Sequence, residues 1–353
     1  MNNLKQASIQ YILNNQAPSG AYIACPNFPT YHYSWFRDGS FIAYAMNLVG
    51  EHESAGRFHA WVADTILKRV DLIRTVLEKV EDGLEILPQD VLHTRYTLEG
   101  EDGVKEEWPN FQLDGFGTWL WALHQHHILA GEELSQNCLD AADWIGLYLR
   151  ALWPQPCYDS WEEFPQDVHT HTLAAIYGGF KALVNLGFES YQIDADQVQA
   201  YILEHCVYDG YFVKYVGSFT VDANLLGLVL PYQVVPLNDD RFKKTIERIE
   251  TSLLKEGGVQ RYPTDTYYGG GEWVLLTAWL GWFYAESGLV EKAATCRQWI
   301  ETQANPDGEL PEQVPLVLND PNYYLPWLRQ WGEIASPLLW SHAKYLILRH
   351  VLK

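Results

Sequence analysis

The sequence predicts an all-α protein in which six helical hairpins close into a ring, an (α/α)6 barrel with its long loops gathered at one end. Three observations carry that expectation. Helical apolar spacing recurs from end to end of the 353 residues, while strand-like alternation is confined to short pieces such as YFVKYV at 211–216. Gly, Pro and Asn breaks divide the helical pattern into twelve segments. Signatures rich in aromatic, glycine and polar residues precede only every second segment.

The segments fall near 2–14, 39–50, 54–80, 114–131, 133–152, 170–187, 191–205, 221–230, 239–256, 272–286, 289–304 and 336–352. YHYSWFRDGS precedes the second, EEWPNFQLDG the fourth, YDSWEEFPQDVHTHT the sixth, VGSFTVDAN the eighth, RYPTDTYYGGGEW the tenth and GELPEQV the twelfth. The odd segments join their partners through plain turns such as LVGEHES and LAGEELS. A ring with even helices inside and odd helices outside produces this alternation. It points the inner N-termini at one shared pocket, where free N–H groups and the helix dipole favour hydroxyl oxygens and carboxylates.

Composition narrows the ligand. The chain carries 15 Trp and 22 Tyr, more than a core of this size needs, so some rings are expected to line a pocket. Flat amphipathic rings suit the apolar faces of sugars. A formal charge of −21 argues against nucleic acid and anionic membranes, whose binding rests on Lys and Arg. The N-terminus MNNLKQASIQYILNN lacks an apolar leader core and no run of 18 apolar residues occurs, so a soluble cytoplasmic protein is expected. Cysteines 25, 138, 157, 206 and 296 are scattered and odd in number, which suits reduced thiols in a cytoplasm.

Two carboxylate sites stand out in the motif-rich loops. Glu162 and Glu163 lie between Trp161 and Phe164, where an indole and a like-charged neighbour both raise a carboxyl pKa. Glu312 lies between Pro311 and Gln313. Glycoside hydrolysis needs such a pair, one protonated and one ionised. Each also has a plain reading as a helix-start cap or a solvated first-turn residue, and neither signal is specific alone.

Taken together and in order, the motifs YHYSWFRD, WPNFQLDG, DSWEE, RYPTDTYYGGGEW, DGELPEQ and LLWS resemble glycoside hydrolase family 15, the glucoamylases, glucodextranases and related exo-α-glucosidases. The match runs from Tyr31 to Trp340. The resemblance implies an inverting, exo-acting α-glucoside hydrolase that releases β-glucose from the non-reducing end of short α-1,4 or α-1,6 gluco-oligosaccharides. It implies Glu162 as general acid, Glu163 as a binding carboxylate that tunes it, and Glu312 as the base that activates water. Trp35, Arg37 and Asp38 would build the glucose subsite, with Tyr31 near the attacking water. Trp108, Gln112, Trp161, Arg261 and Trp273 would add substrate contacts. Asp114 and Asp222 read as helix N-caps. Residues 1–353 are expected to form a single catalytic domain with no N-terminal β-sandwich and no starch-binding module, and 85–107 and 314–331 to set the second subsite. Nothing in the motifs calls for a cofactor or a metal, and monomer and homodimer are not distinguished.

Other readings were weighed. Gly269–Gly271 lacks the Lys-Ser/Thr of a phosphate loop. His169 and His171, and His124, His126 and His127, lack metal-ligand spacing. A non-hydrolytic sensing toroid of the phosphorylase-kinase-subunit type would not need both Glu162 and Glu312. A sugar phosphorylase would replace the base with a phosphate pocket. An α,α-trehalase remains within the family.

Overall fold

The computed structural model describes residues 2–104 and 108–352; Lys105, Glu106 and Glu107, at the end of the 85–107 segment, lie outside the described residues. The α-helices are α1 (Asn2–Asn14), α2 (Phe36–Leu48), α3 (His52–Leu67), α4 (Val70–Glu81), α5 (Asp114–Ala130), α6 (Gln136–Leu152), α7 (Thr170–Asn185), α8 (Gln192–His205), α9 (Asp240–Ser252), α10 (Val274–Glu286), α11 (Val290–Gln303), α12 (Tyr324–Trp331) and α13 (Leu339–Val351).

An inner ring runs α2, α5, α7, the 3₁₀ segment Ala223–Leu228, α10 and α13, which packs back on α2. Its helices read apolar all round, as in VLLTAWLGWFYAE of α10, because both faces are covered. The outer helices carry one apolar stripe; α9 buries Phe242, Ile246 and Ile249 and turns its charges outward. Backbone contact closes the ring between α5 and α7. A Cβ on Gly117 would lie 2.3 Å from the Ala175 carbonyl oxygen, and one on Gly179 2.9 Å from the Gly117 Cα.

The (α/α)6 barrel is therefore the observed fold, with four local corrections. The predicted 54–80 helix is two helices, α3 and α4. The chain leaves the helix at Arg69, whose side chain bonds the Thr65 and Gly100 carbonyls and Asp102. The predicted 221–230 helix is only a 3₁₀ segment, Ala223–Leu228, and it cannot continue past Leu230, which Pro231 keeps out of the α region. The 211–216 strand shrinks to Tyr211–Phe212, paired with Val207–Tyr208. Helix α12 was not foreseen: Pro326 reads as a breaker, but as the third residue it sits in the first turn, where it is tolerated.

Two small antiparallel pairings matter for the site. Ser34–Trp35 pairs with Arg95–Tyr96 and fixes the entry to α2. A four-stranded ribbon of Leu254–Lys255, Gly258–Val259, Glu272–Trp273 and Gln313–Val314 sets Trp273 opposite Gln313 at the start of α10.

The glycine contact between α5 and α7 leads to a stability test. Gly117→Ala should lower the unfolding free energy by at least about 2 kcal/mol, because the methyl group meets backbone that cannot give way. Gly56→Ala on α3, whose Cβ would sit 3.4 Å from His126 Nε2, should be neutral or stabilise by up to about 1 kcal/mol through helix propensity. Denaturant melts of both variants check this.

Candidate active site

The loops before the inner helices enclose a cavity of about 360 Å³, which the starts of α2 and α13 help to line. Tyr31, Trp35, Arg37, Asp38, Trp108, Trp161, Glu162, Glu163, Arg261, Trp273 and Glu312 all line it. Gln112 stands next to them, where its Oε1 accepts Arg37 Nη1–H at 2.9 Å.

The first turn of α2 presents Arg37 and Asp38, 3.3 Å apart between Nε and Oδ2. Among the described residues neither of those two atoms makes a hydrogen bond of good geometry, so the two groups are paired by charge. Arg37 is held from behind by Gln112 and by Asp114 at 3.4 Å, with the Trp340 ring 5.2 Å from its guanidinium carbon. Asp114 is thus the first residue of α5 and an anchor for Arg37; the N-cap position belongs to Leu113. Burial pushes the Asp38 carboxyl up to about 6, against the pull of Arg37.

Glu162 and Glu163 are adjacent in sequence but differ in surroundings. Glu162 Oε1 accepts Trp35 Nε1–H at 2.7 Å. Burial raises its pKa, and Arg37, Trp35, Trp108 and Gln112 offset part of that rise. Glu163 turns to the other side, taking Tyr262 Oη–H at 2.5 Å and facing Arg261 at 3.4 Å. Its pKa is also raised by burial, with Arg261 opposing.

Glu312 enters from the ribbon. Its backbone N–H bonds Ala335 O at 2.9 Å and its carbonyl takes Val274 N–H at 3.2 Å. Oε1 accepts Tyr31 Oη–H at 3.1 Å, and Tyr31 in turn lies 3.1 Å from Tyr267 Oη. Oε2 is buried, and among the described residues no donor reaches it. Desolvation pushes this carboxyl up to about 8, although Tyr31 and Arg261 pull it down. Glu162 and Glu312 are thus held by different donors, Trp35 and Tyr31, whose rings stand edge to face at 5.8 Å.

Other residues that shape the site were not singled out from the sequence. Asp265 fixes Arg261 through Nε at 2.7 Å. The Arg95 guanidinium lies 4.0 Å from the Tyr33 ring and 3.9 Å from the Trp108 ring, backing the Trp35–Trp108 wall. Trp327 and Trp331, one turn apart on α12, line the mouth. Lys214 bridges Asp159 and Asp222 behind Glu162. Asp265 lay inside a recognised motif; Lys214 carried no signal in the sequence. The glycine run 269–271 serves the backbone: a Cβ on Gly270 would fall 2.2 Å from Asp265 O. Asp222 does cap its segment, accepting Asn224 N–H at 2.9 Å. His169 and His171 bond the Phe164 and Asn224 carbonyls, each at 2.9 Å.

Comparison with known proteins agrees with this architecture. The family model described as Glycosyl hydrolases family 15 matches residues 1–304. An isomaltose glucohydrolase from Kribbella flavida is 39% identical over 99% of this chain and 92% of its own length. A variant glycosidase solved in complex with glucose superposes with a TM-score of 0.95 at 38% identity, covering 99% of this chain and 96% of that one. A bacterial glucoamylase complexed with acarbose shares the fold, with a TM-score of 0.75 at 20% identity over 99% of this chain and 55% of that chain.

The Tyr31–Glu312 contact has a measurable consequence. The phenol donates more strongly to the ionised carboxylate than to the acid, so Tyr31→Phe should raise the Glu312 pKa further, by about one pH unit, the worth of one hydrogen bond to a charged group. Carboxyl-carbon NMR of glutamate-labelled protein would check this, and an unchanged midpoint would rule the hydrogen bond out.

Proposed function

The chain belongs to glycosyl hydrolases family 15 and is a glycoside hydrolase, and from that premise we propose that it cleaves short α-glucosides, isomaltose first among them, from the non-reducing end with inversion. The observation that carries this reading is the set of charged groups around one cavity: the Arg37 donor fork beside the Asp38 carboxylate, and two further carboxyls, Glu162 and Glu312, held by different donors. An arginine–aspartate pair suits adjacent hydroxyls of one sugar ring, and two separately held carboxyls suit the bond next to that ring. The preference for an α-1,6 link rests on the Kribbella flavida relative. One ring around one pocket supports reading it as a single catalytic domain, and five unpaired buried thiols support a reducing, cytoplasmic setting.

In the proposed reaction Arg37 and Asp38 hold the hydroxyls of the terminal glucose, which Arg37 does with a planar fork of donors and Asp38 with a pair of acceptors. Glu162 gives its proton to the glycosidic oxygen as the bond from C1 to that oxygen breaks. A water molecule attacks C1 from the opposite face and gives its proton to Glu312, so glucose leaves as the β-anomer and the aglycone as an alcohol. Glu162 ends ionised and Glu312 protonated, and solvent exchange resets the pair. The orphaned Oε2 of Glu312 supports its role as base. The reacting water supplies the missing donor there and favours the ionised form that proton abstraction needs, against the desolvation that pushes this carboxyl up.

Incubation with isomaltose, maltose and trehalose should release glucose, most readily from isomaltose and initially as the β-anomer. Early proton NMR spectra dominated by α-glucose would mean retention, and absence of turnover on all three sugars would leave only binding. Replacing Glu312 or Glu162 by Gln should lower kcat on isomaltose by about 10² to 10⁴-fold; a variant that keeps most of its rate removes that residue from its role.

A further inference from the structure

The turn that carries Glu162 does not hold itself. Glu162 and Phe164 have φ of 67° and 52°, a left-handed region that side chains other than glycine enter at a cost. Asp159 closes the turn: its Oδ1 accepts the backbone N–H of Trp161 and of Glu163, each at 2.9 Å. Its Oδ2 takes Lys214 Nζ at 2.8 Å. The same ammonium donates to Asp222 Oδ2 at 2.5 Å, an oxygen that also accepts Trp161 Nε1–H at 2.9 Å. Lys214 is 3% exposed, takes no part in lining the pocket, and lies 4.1 Å from the centre of the Tyr262 ring, whose hydroxyl holds Glu163. One buried cation therefore reaches the carboxylate that caps the turn, the carboxylate that fixes its indole, and the ring that steadies its second glutamate.

We propose that Lys214 is a positioning residue for the general acid, binding Asp159 and Asp222 together so that the strained Trp161–Glu163 turn aims Glu162 at the leaving oxygen. This rests on the reading of Glu162 as that acid. Removal of the ammonium leaves two buried carboxylates facing each other without a cation, and the turn relaxes toward ordinary backbone angles. Arg37 and Asp38 on α2 and Glu312 on the ribbon are held by other contacts and keep their places. Proton delivery to the leaving group is lost, while glucose binding and water activation survive.

Leaving-group dependence separates this from a general loosening of the fold. The sugar that leaves isomaltose departs through an alkoxide oxygen that needs a proton; the group that leaves α-glucosyl fluoride is fluoride and needs none. In Lys214→Met, kcat on isomaltose should fall about 10²-fold or more, while kcat on the fluoride falls by less than about tenfold and inhibition by glucose changes by less than about threefold. An equal loss on both substrates overturns the proposal. Should that variant fail to fold by circular dichroism, Asp159→Asn keeps an acceptor for the two N–H groups and removes the charge that Lys214 binds, so it should show the same split. Glu162→Gln is the reference. If the split is missing there, the acid assignment itself fails; if it appears there but in neither Lys214→Met nor Asp159→Asn, the positioning role alone fails.

Discussion

Closure of the inner ring is the constraint on which everything else depends. Six segments surround one axis, each packed on its two neighbours, and Gly117 of α5 against Gly179 of α7 brings one pair to backbone contact. Once the ring is shut, inner N-termini face one end and the connections to the outer helices leave from the other. Every long loop must then gather over the same mouth. The cavity, its aromatic walls and the burial of its carboxyls follow from that geometry, and none of them belongs to a single helix.

Burial is what makes the pocket chemically selective. A desolvated carboxyl prefers its proton, and the donors that reach it decide how strongly. Trp35, Gln112 and Arg37 soften the rise for Glu162, while Arg261 and Tyr262 occupy Glu163. Glu312 has Tyr31 on one oxygen and nothing on the other, and it is pushed furthest, to about 8. Three carboxyls of ordinary and equal acidity in water thus become distinct because each meets a different set of partners. The same logic explains the paired anchors behind the lining: Asp114 and Gln112 hold Arg37, and Asp265 holds Arg261. A cation buried among aromatic rings is costly unless its hydrogen bonds are met.

Several features escaped sequence reasoning for identifiable reasons. Helix α12 was hidden because it is only eight residues long and lies inside the 314–331 loop, with Pro326 in its first turn. The split of 54–80 depends on Arg69 reaching Asp102 and the Gly100 carbonyl, residues about thirty positions away that helical periodicity does not register. Gln112 and Asp114 sit in a recognisable motif, but whether such residues meet a ligand or another side chain is a question of depth, and depth is not periodic. Lys214 lay in a short strand-like piece with nothing beside it in sequence to mark it.

By itself the sequence determined what is local or ordered along the chain: the helical period, the alternation of plain and motif-rich connections that implies a double ring, and the set of residues brought to one end. Those follow from backbone periodicity and chain order, which survive in one dimension. Only the tertiary structure decided which glutamate meets Trp35 and which meets Arg261, that Glu312 keeps one oxygen without a donor, and that Lys214 joins Asp159 to Asp222 across gaps of 55 and 8 residues. These depend on side-chain direction and on exclusion of water, and both exist only after the ring has closed.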